Sequence, residues 1–294
     1  MHTRSTPPPI IFFLVLPYGI SAGFVNVTLP FVLTRAGFSV AASAALVALG
    51  ISANLWRFLW GPVADLTLTL HRWYLIGVAA AAALLFAISR VPLDPRSPGL
   101  LRIMVFVASV AATLVVLPVG GIMAHTVRDD QMGLASGWYE AGNLGGMGFG
   151  GGAGVWLAYH ASLPVAGVVQ AAAMLACAGA LFFVPDVVPD KAARMSARMR
   201  DIGRDFLDLV KSPMAIFVIV MVSSPVGSGA ASGVWSAAAP DWHVGAETVA
   251  LITGGLSGLA SAVGSVAGGW LCDRAGRWWS FFGAGVTMAV TTVA

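Results

Sequence analysis

No Asp, Glu, Lys or Arg occurs in residues 5–34, 36–56, 73–89, 103–127, 141–185, 212–240, 248–272 or 278–294. A helix that crosses the hydrocarbon core of a bilayer needs ~20 mostly apolar residues, range ~17–25. The 141–185 run is 45 residues long, too long for one crossing, and His160-Ala-Ser-Leu-Pro164 divides it. Nine apolar segments result, the last reaching the end of the sequence. In lipid the backbone must satisfy its own hydrogen bonds, so such segments are helices. The expected fold class is all-α, a polytopic membrane helical bundle.

Composition agrees. Hydrophobic residues make up 58% and charged residues 10%, against roughly 45–50% and about 25% in soluble chains. That excludes a disordered chain, a nucleic-acid-binding domain and an ordinary cytosolic enzyme. The net charge of +3 comes from 16 Lys and Arg against 13 Asp and Glu, too thin an excess to imply an anionic partner. Cys177 and Cys272 stand alone in apolar surroundings and form no disulfide framework or metal pair. His2, His71, His125, His160 and His243 fall at segment ends or in loops, with no metal-ligand spacing. No metal or cofactor is expected. Pro9 to Leu33 is longer than the ~7–15-residue apolar core of a cleaved signal peptide, and no cleavage site interrupts it.

Lys and Arg in the loops set orientation. With the N-terminus inside, twelve fall inside (Arg4, Arg57, Arg72, Arg128, Lys191, Arg194, Arg198, Arg200, Arg204, Lys211, Arg274, Arg277) and four outside (Arg35, Arg90, Arg96, Arg102). That predicts a cytoplasmic N-terminus, in a protein expected in a bacterial inner membrane. The longest polar stretch lies between segments six and seven. Within it Met195, Met199, Ile202, Phe206 and Leu209 recur on one helical face. They predict an amphipathic helix on the cytoplasmic surface, Arg-rich enough to lie against anionic lipid. The domain reading is an N-terminal six-helix bundle at 1–185, a linker at 186–212 and a partial second bundle at 213–294.

A repeat joins the two bundles. Segment two ends in Gly61-Pro-Val-Ala-Asp65 and continues to His71-Arg72; segment eight ends in Gly269-Trp-Leu-Cys-Asp273 and continues as Arg274-Ala-Gly276-Arg277. Both place Asp four residues after Gly, on the same side of the membrane. Internal repeats of this kind are common in transporters. A carboxylate there can cap the N-terminus of a neighbouring helix and meet its positive dipole end. Such a latch forms only while that side is closed. The competing reading is a plain solvated turn.

The Gly-x-x-x-Asp-Arg-x-Gly-Arg pattern at 269–277 resembles the signature loop of the major facilitator superfamily. Segment count, orientation, central loop and repeat position resemble it too, over the whole chain. The first copy lacks the later glycine. Its context, Arg57-Phe-Leu-Trp60-Gly-Pro62-Val-Ala-Asp65, resembles the AmpG-like branch, which holds muropeptide permeases and acetyl-CoA transporters; so does Leu16-Pro-Tyr-Gly-Ile-Ser-Ala-Gly23. The resemblance implies twelve helices, of which about nine are present. It implies a secondary transporter working by alternating access, monomeric, proton-coupled, and importing a small muropeptide-like solute. The second half stops at Ala294 inside its third helix, so the sequence reads as C-terminally truncated. The antiporter signature of the family's fifth helix includes a Gly-Pro dipeptide, which this segment five lacks. The alternative is a non-transporting scaffold, or a pigment- or lipid-delivery factor, on the same fold.

Segment five contains Gly146-Met-Gly148-Phe-Gly-Gly151, a formal dinucleotide fingerprint without the strand it needs. Gly142, Gly146, Gly150 and Gly154 instead make an i, i+4 stripe for close helix approach. Gly254, Gly258, Ala262, Gly264 and Gly268 form a similar run on segment eight, suited to a sliding contact between halves. Gly255-Leu-Ser257-Gly258 resembles an intramembrane protease motif, but no histidine follows on a later helix.

An ionisable side chain at membrane depth is a functional candidate by default. Glu140 lies about two turns into segment five, roughly 12 Å at 1.5 Å per residue, and Arg57 lies at a similar depth on segment two. Glu140 is read as a proton-coupling carboxylate, against a structural ion pair with Arg57 or a snorkelling side chain. Candidate cavity residues are Asn26, Thr28, Asn54, Asn143, Ser223, Ser224 and Ser228, each of which could instead serve a helix–helix hydrogen bond. Trp235 and Trp242 read as interface anchors.

Overall fold

The computed structural model describes residues 5–57, 67–186, 204, 208, 211–223, 239 and 241–293. Among them run the helices α1 Pro8–Arg35, α2 Val40–Trp56, α3 Leu70–Ile88, α4 Gly99–Thr126, α5 Met132–His160, α6 Leu163–Phe183, α7 Pro213–Ser223, α8 Ala246–Ala275 and α9 Arg277–Val293. No strand occurs among the described residues. Each helix falls on one apolar segment of the sequence. The amphipathic linker helix, Gly61, Asp65, Ser224 and Ser228 lie outside the described residues.

Five of these helices are long and apolar enough to cross a membrane: α1, α3, α4, α6 and α8. The difference from nine has a local cause in each case. Helix α2 is apolar but shorter, and α7 and α9 have 11 and 17 described residues. Helix α5 has 29 residues, ten of them glycine. A hydrogen for a side chain adds length without adding apolar surface.

Helix boundaries follow capping chemistry. Ser39, Thr69 and Ser162 each accept a hydrogen bond from the backbone N–H three residues on, at 3.1, 3.3 and 3.4 Å, and so start α2, α3 and α6. Pro8 opens α1, where a missing N–H costs nothing. A π turn at Phe24–Thr28 then widens α1, with Leu29 N–H reaching Phe24 O. Pro30 follows directly, and the widened turn relieves the clash its ring would otherwise meet. Gly276, at φ 86°, ends α8 and turns the chain into α9; a side chain there would be strained.

Helix α1 is the centre of the packing. Ile11, Leu14, Ile20, Leu29 and Leu33 are wholly buried in the core that α1 forms with α2, α3, α4, α5 and α6. A smaller cluster joins Val27, Phe31 and Val155 to Ala246, Val249 and Ala250, tying α1 and α5 to the start of α8.

Candidate functional site

Helix α5 needs a cap it does not supply. Gln131, in the N-cap position, makes no side-chain bond to the helix. The first-turn N–H groups of Gly133 and Leu134 instead donate to Asp273, to Oδ1 at 2.8 Å and to Oδ2 at 2.7 Å. The carboxylate arrives from the last turn of α8, 140 residues later in the chain. Both oxygens are used and the negative charge meets the positive end of α5.

This contact is possible because α5 and α8 nearly touch. A methyl group added at Gly137 would lie 2.6 Å from Ser265 O, and one at Gly269 would lie 2.8 Å from Gly137 Cα. Further along, Gly148 faces Gly258 and Gly152 faces Gly254 at similar closeness. The stripe read from the sequence faces elsewhere. Gly142, Gly146, Gly150 and Gly154 meet α1, at Phe12, Leu16, Gly19, Ile20 and Thr28. Helix α5 thus carries two glycine faces. The one against α8 is the series Gly133, Gly137, Gly148 and Gly152, which i, i+4 spacing from Gly142 does not pick out. At the far end of this seam His160 Nε2 lies 3.6 Å from Glu247 Oε1.

Polar side chains gather beside the seam. Tyr18 Oη donates to Asn54 Oδ1 at 3.2 Å, and Arg57 donates to Tyr139 Oη at 3.4 Å. Asn143 Nδ2 donates to Glu140 Oε2 at 3.0 Å. Arg57 and Glu140 form no ion pair among the described residues. Glu140 lines a crevice of about 480 Å³ with Ser136, Ser265, Cys272 and Arg277. Asn26 and Asn54 line a separate cavity of about 50 Å³ with Tyr18, Ser21 and Ser109.

Thr28 lines neither of these two cavities. It is buried and its hydroxyl lies 3.1 Å from the carbonyls of both Gly150 and Gly151, which ties α1 to α5. Gln170, which sequence reasoning passed over, donates to Gly150 O at 2.7 Å from α6. The signal was available: it is the one amide inside an otherwise apolar segment six. Ser223 closes the described part of α7. Arg72 stands in the first turn of α3, its own N–H capped by Thr69. The Arg274 guanidinium stacks 4.1 Å from the Trp270 ring centroid.

The family profile described as Major Facilitator Superfamily matches residues 11–294. The chain belongs to the major facilitator superfamily. It is therefore an integral membrane protein of a secondary-transporter family, not of an enzyme family, working in a lipid bilayer on a small-molecule substrate. A search of curated proteins returns no match. For this superfamily member the repeated Gly-x-x-x-Asp element is the natural focus, because its second copy makes the Asp273 contact with α5.

Proposed function

We propose that the protein moves a small solute by alternating access, with Asp273 acting as a latch on the cytoplasmic side. The observation that carries this reading is the bidentate cap from α8 onto α5. It joins the bundle read at 1–185 to the one read at 213–294, across the 186–212 linker. A charge at a helix N-terminus contributes ~0.3–1 kcal/mol when exposed and up to ~2 when partly buried. That is enough to bias two rocking states and small enough to be released each cycle. Gly269 and Gly276 serve the latch by letting α8 approach and then turn; Arg274 and Arg277 supply inside charge. Gly61, Asp65 and Arg72 are the equivalent elements of the first copy.

Glu140 is the proton-coupling group in this reading, and its neighbours Asn143, Tyr139 and Arg57 tune and orient it. What supports this is an acidic side chain at the crevice beside the seam rather than in an ion pair. The solute is muropeptide-like, on the AmpG-like resemblance of 57–65; Asn26 and Asn54 line a cavity of only about 50 Å³, which must widen before they can contact it. The protein acts as a monomer in a bacterial inner membrane with its N-terminus inside. An open crevice that holds Glu140, Ser136, Ser265 and Arg277 favours transport over the scaffold or pigment- and lipid-delivery reading, which calls for a sealed, wholly apolar cavity.

Cross-linking tests the proposal. Cysteines replace Ser136 and Ser265 across the crevice, in a chain whose native cysteines are removed. Muropeptide-like solutes should change the disulfide formation rate, and an imposed pH gradient should change it further. A rate indifferent to a solute panel and to the gradient supports the scaffold reading instead.

A further inference from the structure

The seam between α5 and α8 has two sides. On a helix, residues two apart project about 200° from each other, so Trp138 and Glu140 leave α5 in opposite directions. Glu140 enters the crevice it shares with Ser136, Ser265 and Arg277. Trp138 enters a groove of about 550 Å³ whose walls carry no polar surface, formed with Phe12 and Leu134 on one side and Ala262, Val266 and Trp270 on the other. From Ala262 to Trp270 the groove runs roughly 12 Å along α8, at 1.5 Å per residue. One turn beyond it, at the end of α8, the Arg274 guanidinium lies over the Trp270 ring.

Two features fix what fits there. The walls offer nothing to a polar solute, and an elongated apolar slot between membrane helices suits a hydrocarbon chain. The cation at its mouth has no carboxylate within ion-pair distance among the described residues. The adjacent Asp273 has both oxygens committed to α5. Arg stacked on an aromatic face keeps its remaining N–H donors free for a planar or tetrahedral anion, and Trp settles at headgroup level.

We propose that this groove holds an acyl chain of one anionic phospholipid, from the leaflet on the side of the α8–α9 turn, with its phosphate on Arg274. The lipid wedges beside the contact that closes the seam, so it is positioned to sense whether α5 and α8 are together. This site goes beyond the transport reading and stands whether or not the protein carries a solute.

Native mass spectrometry of the purified chain, with equimolar phosphatidylglycerol and phosphatidylcholine of matched chains, tests it. One lipid should be retained, with phosphatidylglycerol preferred. Arg274→Gln should lower that preference roughly fivefold, the share one basic side chain contributes at an anionic surface. Ala267→Trp, which fills the groove, should remove retention of both lipids. Equal retention of the two lipids by the unmodified chain, or unchanged retention by Ala267→Trp, overturns the proposal. A second measurement needs no variant: a phosphatidylglycerol with a photoreactive tail group, in vesicles holding the unmodified chain. Adducts should concentrate in 134–141 and 262–270. Adducts spread evenly over the apolar helices overturn it.

Discussion

At the scale of single residues, two carboxylates divide the work. Asp273 gives its charge to two backbone donors, and Asn in its place keeps the shape but loses the charge. The closed seam should lose the ~0.3–2 kcal/mol of a charge–dipole contact. A cysteine at Ser265 should then be labelled from the inner face roughly 2- to 30-fold faster in Asp273→Asn, by the usual conversion of free energy to population. Unchanged labelling would reduce the contact to an ordinary capped turn. Glu140→Gln should abolish uptake driven by a pH gradient and leave solute exchange intact. Normal gradient-driven uptake by that variant would end the coupling role. Asp273 was legible in the sequence because a carboxylate four residues after glycine repeats. Its partners were not, because backbone N–H groups leave no residue signature; only the missing acceptor at Gln131 marked where a cap was needed.

At the scale of elements, α5 is a helix clamped between two others through backbone contact. The glycine stripe at 142, 146, 150 and 154 was visible as spacing, but its partner was not. Periodicity fixes a face, and only the tertiary arrangement decides which helix that face meets. Here the visible stripe meets α1 and the less regular series meets α8. The two faces make opposite predictions. Overpacking a close contact costs about 1–3 kcal/mol. Gly146→Val should therefore destabilise the helical bundle itself, seen as a lower midpoint of thermal unfolding. Gly258→Val should leave that midpoint nearly unchanged and part α5 from α8, seen as slower cross-linking between cysteines at Ser136 and Ser265. The reverse pattern would assign the faces the other way round. The same argument explains the polar residues. Thr28 and Asn26 are two residues apart and looked alike in sequence, yet Thr28 is sealed against the α5 backbone, whereas Asn26 meets Met147 of α5 and also lines a cavity.

For the whole molecule, segment count and fold class came through the sequence because charge exclusion by lipid is severe. Apolarity of the separate helices came through less well, since glycine-rich α5 has the length of a span without its apolar surface. Orientation rests on the twelve-to-four distribution of basic residues. It predicts that cysteines introduced at Ala161 and Gly245 react with an impermeant reagent outside sealed cells, and one at Ala193 does not. Reaction at 193 would invert the protein and move Asp273 to the other surface.

The glycine seam also has a thermal consequence. Side chains that interdigitate regain rotamers when they part, whereas glycine has none to regain. Parting Gly148 from Gly258 and Gly152 from Gly254 therefore releases almost no side-chain entropy. For two states of nearly equal free energy, a small entropy difference requires an equally small enthalpy difference. As far as side chains decide it, the balance between parted and joined seam should drift little as the membrane warms or cools.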